Sequence, residues 1–171
     1  MEKSLNLGYS KFLNVTKSLV VFYSRTGTTK RVAESIYNLL KCDVEEVIDT
    51  KNRKGPLGYL KSGSDAMSKK LTVIKDVKYE PSSYDMIIIG TPVWAGTMSA
   101  PIRTYISQYK NSFKKVAFFC TGESENEKVF DEMGALCGKE PVQVLSVKPK
   151  EVMNGDHLFK IKKFIDAIGE S

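Results

Sequence analysis

The chain has 171 residues, enough for one domain with a substantial core, and its 42% apolar and 27% charged content is ordinary for a soluble globular protein. Lysine and arginine outnumber acidic residues to give a formal charge of +6 and a sequence pI near 9.1. No run approaches the ~20 apolar residues of a membrane span, and the polar N-terminus has no signal-peptide core, so a cytoplasmic protein with no membrane or nucleic-acid partner is expected.

Cys42, Cys120 and Cys137 are odd in number, widely spaced and set in apolar segments, which points away from a zinc site or a disulfide framework. The single histidine, His157, near a predicted helix start, is expected at the surface and leaves little material for imidazole catalysis. No catalytic side chain and no metal ligand is assigned.

Residues 1–17 have no strong period and are expected to form an N-terminal extension to a single domain over 18–171. Leu19 to Tyr23 then reads as a strand, Ser24-Arg-Thr-Gly-Thr-Thr29 as a turn, and Val32, Ala33, Ile36, Leu39 and Leu40 as one face of a helix. Val44 to Ile48 is a half-alternating second strand. Thr50 to Glu80 is long for a connection. It carries eight lysine and arginine residues against three acidic ones, a net +5 of the chain's +6. Within it Leu57, Leu60, Met67 and Leu71 are expected on one face of a short helix after Gly55-Pro56. Such a segment is either a solvated insertion or a basic flap that attracts an acidic protein or a phosphorylated cosubstrate.

Further strands are expected at Met86–Ile89, Val116–Cys120 and Val142–Val147. Helical patterns separate and follow them, through Ile102, Tyr105, Ile106 and Tyr109, then Val129, Met133, Leu136 and Cys137, and finally Leu158, Ile161, Ile165 and Ile168. The alternation implies an α/β fold, a doubly wound five-stranded parallel sheet with helices on both faces. The first, third and fourth strands are continuously apolar, as central strands are, and the second and fifth are mixed, as edges are, so the order 2-1-3-4-5 follows.

In that order ligands bind beyond the carboxyl ends of the strands, where the first and third diverge. Three loops open there: Ser24–Thr29, Gly90–Met98 and Thr121–Asn126. The first combines a helix N-terminus with four hydroxyls, which suits a phosphate or, more simply, a capped helix start. With Gly27 as its one glycine, the loop fits neither a Walker motif nor a dinucleotide fingerprint, so a held monoester suits it better than a triphosphate. Trp94, the only tryptophan, lies between Pro92 and Gly96, either facing a flat ligand or packing on its own domain.

Val-Phe-Tyr-Ser-Arg-Thr-Gly-Thr-Thr-Lys-Arg-Val-Ala resembles the FMN phosphate loop of the flavodoxin family, and Gly-Thr-Pro-Val-Trp-Ala-Gly-Thr-Met-Ser-Ala-Pro resembles its first isoalloxazine loop. The resemblance covers roughly residues 18 to 169 and implies FMN as cofactor. It implies a binding set of Ser24, Arg25, Thr26, Gly27, Thr28 and Thr29 at the phosphate; Thr91, Pro92, Val93, Trp94, Ala95 and Gly96 at the ring, with Trp94 stacked on it; and Thr121, Gly122 and Glu123 bordering it. The third loop lacks the tyrosine that many flavodoxins place over the outer ring face, and the basic pI departs from their acidic surfaces.

An FMN-binding electron carrier with redox partner proteins is therefore expected, ahead of a substrate-specific oxidoreductase. An NAD(P)H-dependent flavin or quinone reductase of the same fold is the alternative, and a non-redox binding module with a vacant pocket is a third reading from another class.

Overall fold

Residues 16–124 and 126–170 are described by the computed structural model, so most of the expected N-terminal extension lies outside the described residues. In chain order the elements are β1 (Ser18–Phe22), α1 (Thr28–Leu40), β2 (Asp43–Glu46), α2 (Gly55–Met67), β3 (Met86–Trp94), β4 (Thr97–Met98), α3 (Ala100–Tyr109), β5 (Lys115–Thr121), α4 (Glu127–Cys137), β6 (Val144–Val147), α5 (Pro149–Asn154) and α6 (His157–Gly169).

The apolar runs decide the sheet. β1 is buried along its whole length and β3 and β5 along most of theirs, while β2 and β6 each mix buried and accessible positions. Fully buried strands need neighbours on both sides, so the parallel order is β2-β1-β3-β5-β6, which is the expected doubly wound topology. Alternate side chains feed two cores. Leu19, Val21, Ile87, Ile89 and Phe118 meet Ile102 and Ile106 of α3 and Met133 of α4 on one face. Val20, Phe22, Ile88 and Phe119 meet Val32 and Ile36 of α1 and Ile161 of α6 on the other. Gly90 is fixed by this second core, because a Cβ there would lie 1.9 Å from the Phe119 ring.

Three elements depart from the sequence expectation. β3 does not stop at Ile89 but continues through Thr91 and Pro92 against Cys120 and Thr121 of β5, then pairs Val93 and Trp94 with Met98 and Thr97 of β4. The expected loop is a hairpin, closed by Ala95 (φ 48°) and Gly96 (φ 76°) in the two-residue turn with positive φ that matches strand twist. His157, expected at the surface, is buried in the first turn of α6, where its Nδ1 lies 3.1 Å from the Glu151 carbonyl of α5.

The third departure is the face of α2. The helix forms where Gly55-Pro56 starts it, but Leu57, Leu60 and Met67 point outward and Gly58, Ser62, Asp65 and Ala66 are buried. Gly58 packs so closely that a Cβ would stand 2.3 Å from the Arg53 backbone. The segment after α2 is tied down as well, since Thr50 N–H donates to Val73 O at 3.0 Å and Thr72 N–H to Thr104 Oγ1 at 2.9 Å.

Candidate functional site

The three loops at the carboxyl ends of β1, β3 and β5 touch one another through specific side chains. Between the first and third, Thr29 Oγ1 and Thr121 Oγ1 share a buried hydrogen bond of 2.7 Å. The first and second meet where the Tyr23 and Trp94 rings pack edge to face, with centroids 5.4 Å apart. Gly122 sits between the second and third, and a Cβ there would come within 3.1 Å of both Val93 and Asn126.

The start of α1 is built for an anion. Gly27, in the left-handed region at φ 98°, turns the chain into the helix, and Ser24 Oγ accepts the Gly27 N–H at 3.0 Å. No side chain caps the helix, its first turn carries no acidic residue, and the first amide bonded to a carbonyl is that of Arg31, to Gly27 O at 3.1 Å. The amides ahead of it point outward into the positive end of the helix dipole. Thr26 is exposed and Thr28 half-buried beside them, so their hydroxyls can add donors. Arg25 leans away, its guanidinium 5.2 Å over the Tyr59 ring of α2.

The hairpin places its residues unevenly. Ala95 and Gly96 expose their backbone at the tip, and Pro92 and Val93 are half-buried. Thr91 is fully buried, with its hydroxyl donating to Ser99 Oγ at 3.1 Å and accepting from Ser99 N–H at 3.0 Å, so it fastens the hairpin base. Trp94 is only 7% exposed. In the third loop Glu123 is exposed and Thr121 buried. The first loop, Trp94, Thr121 and Gly122 therefore come together, while Thr91 faces the hairpin base.

Sequence reasoning missed the residues that brace Trp94. Arg53, grouped with the solvent-facing basic segment, is 3% exposed. Its guanidinium lies 5.2 Å over the Trp94 ring, 2.5 Å from Asp49 Oδ2 through Nε and 3.0 Å from Asp65 Oδ2 through Nη1. Burial lowers the Arg53 pKa, but the two carboxylates outweigh it and keep the charge in place. Burial and the nearby Asp49 raise the Tyr23 pKa, so the phenol beside Trp94 stays neutral. Nothing in a run of lysines marks one arginine for burial, because its partners, Asp49 four residues before it and Asp65 on α2, are brought to it only by the fold of the intervening chain.

Side-chain chemistry at the rim is sparse. Cys120 ends β5, and burial pushes its thiol up to about 11, which keeps it a protonated core group. Among the described residues no group of three His, Cys, Asp or Glu could hold a metal ion, and no helix is long and apolar enough to cross a membrane.

Comparison with known proteins follows the same outline. The sequence profile described as Flavodoxin matches residues 17–168. A Lactobacillus acidophilus flavoprotein, solved in complex with FMN, is 28% identical, with a TM-score of 0.67 over 81% of this chain and 97% of that one. The apo form of the flavoprotein from the same organism is 27% identical, with a TM-score of 0.58 over 77% and 91%. A Bacteroides uniformis protein, at 24% identity and a TM-score of 0.67 over 82% and 97%, shares the fold. No curated protein matches the chain. With the profile spanning nearly all of the described domain, and with the strand order and three converging loops in place, the chain belongs to the flavodoxin family.

Proposed function

We propose that the chain binds FMN in this crevice and serves as an electron carrier. The observation that carries the reading is the uncapped, acid-free start of α1, whose outward amides and threonine hydroxyls fit a terminal phosphate monoester. The donor set suits a dianion held by hydrogen bonds, each contributing roughly 1.5–3 kcal/mol. Support also comes from the Lactobacillus acidophilus flavoprotein, which is similar along most of its length and was solved with FMN.

Once bound, the flavin supplies one- and two-electron chemistry, and the protein supplies position and electrostatics. Ser24 shapes the phosphate turn, while Thr26, Thr28 and the amides of α1 hold the phosphate. The Ala95–Gly96 backbone would present polar groups to the ring edge and Trp94 would give it an aromatic wall, while Gly122 lets the second and third loops pack closely beside it. Glu123, exposed in the third loop, would place negative charge beside a bound ring, which would oppose added electron density and lower the reduction potential.

Visible spectra test this reading. Purified protein titrated with FMN is expected to give bound flavin bands at one equivalent, and stopped-flow mixing with NADH or NADPH is expected to leave them unreduced. A colourless protein that refuses added FMN overturns the cofactor assignment. Rapid bleaching by a nicotinamide nucleotide replaces the carrier with the reductase.

A further inference from the structure

Beside the crevice, α2 leaves in water what a helix normally buries. Leu57 is 83% exposed, Leu60 67% and Met67 71%. The face that carries Tyr59, Leu60, Gly63, Ser64 and Met67 forms one wall of a groove of about 470 Å³, and Trp94 with its hairpin neighbours forms the other. Gly63 opens the middle, since nothing lies within 4 Å of the position its Cβ would take. The result is an apolar slot with a clear floor, flanked by large exposed side chains.

The helix that forms this wall is flanked by positive charge. Lys54 just before α2, Lys61 on it and Lys69 and Lys70 just after it are all exposed, and of these only Lys69 stands within ion-pair reach of a carboxylate among the described residues, 3.8 Å from Glu132. A second copy of the chain does not suit this face, because a two-fold contact would set exposed Lys54, Lys61, Lys69 and Lys70 against their own copies. An apolar centre flanked by charge of one sign is complementary to a protein surface of the opposite charge.

We propose that this groove docks an acidic partner protein, which seats one apolar side chain over Gly63 while its carboxylates face Lys54, Lys61, Lys69 and Lys70. The proposal names the partner class of the electron-carrier reading and rests on it for the partner's role. Because Val93, Trp94 and Ala95 line the groove and also belong to the proposed flavin-binding hairpin, a protein docked here lies next to the cofactor site.

The test uses the full chain, with and without FMN, and two short peptides of Asp and Glu that differ only in having Phe or Ser at the centre. Binding is followed by isothermal titration and by amide shifts in a two-dimensional NMR spectrum. The Phe peptide is expected to bind about tenfold more tightly than the Ser peptide and to weaken as salt rises. It is expected to shift the amides of Tyr59, Gly63, Ser64 and Ala95. Gly63→Leu fills the slot without backbone strain and is expected to remove the advantage of Phe while leaving weak, salt-sensitive binding. The triple change Lys54→Glu, Lys61→Glu and Lys70→Glu is expected to abolish binding of both peptides. Equal binding of the Phe and Ser peptides, shifts confined to another face, or self-association that protects Gly63 would each overturn the proposal. Failure of the FMN reading shows separately, as missing flavin bands, and does not enter the peptide titration.

Discussion

Thr29 and Thr121 stand 92 positions apart in sequence and share a buried hydrogen bond of 2.7 Å between their hydroxyls. The bond ties the first turn of α1 to the end of β5, and so links the phosphate loop to the third loop. Thr29→Val or Thr121→Val alone leaves a buried hydroxyl unpaired and is expected to cost about 1–3 kcal/mol, whereas the double replacement costs less than the sum. Urea unfolding of the four proteins gives the coupling. Additive losses would show that the two hydroxyls do not depend on each other.

Thr26 and Thr28 flank the uncapped amides of α1 but take no part in the packing that Thr29 provides. Replacing both with alanine is expected to weaken FMN by roughly 2–5 kcal/mol and riboflavin by little, since only FMN carries the phosphate. Fluorescence titration with both flavins makes the comparison. Equal losses would take the phosphate away from this loop.

Trp94 is the only tryptophan, so its emission reports on one place. Tyr23 packs perpendicular to it and Arg53 lies over its ring in the free protein, and a bound isoalloxazine adjoining that ring is expected to quench it strongly. Emission should fall as FMN is added and return when the flavin is removed. An unchanged signal would restrict Trp94 to packing with Tyr23 and Arg53.

Glu132 of α4 gives the hairpin a pH dependence. Burial pushes its carboxyl up, but donation from the Thr97 hydroxyl and from Arg103 Nη2 at 2.9 Å outweighs this and holds it below its ordinary value of 4.5. A pKa lowered by folding contributes stability that is fully present above the unfolded value and is lost as pH falls through the folded one. Stability should therefore decline below about pH 4.5. Glu132→Gln should be less stable at pH 7, by about 1–3 kcal/mol, because buried Arg103 loses its counter-charge, and its acid decline should be shallower. Urea midpoints at pH 7 and pH 3 measure both effects, and parallel declines would assign the acid limb to other carboxylates.

The sequence by itself determined the sheet and the meeting of its loops. Continuous apolar runs can only be central strands, the mixed runs around Val44 and Val144 can only be edges, and right-handed crossovers then send the ends of β1, β3 and β5 to one rim. The hydroxyls of the first loop were legible for the same reason, because a strand followed at once by a helix fixes where the first amides point. What only the tertiary structure decided depends on partners distant in sequence. Periodicity groups Leu57, Leu60, Met67 and Leu71 on one helix face but does not say whether that face meets the domain, and the helix ends at Met67, short of Leu71. The fold instead buries Gly58, Ser62 and Asp65, because Arg53 lies under α2, needs the Asp65 carboxylate and leaves no room above its backbone for a Cβ. The hairpin after Ile89 is likewise set by β5 and β4, which continue to pair with residues whose own sequence reads as a turn. A buried charge is stable only beside its counter-charge, and chain order alone does not say which carboxylates arrive there.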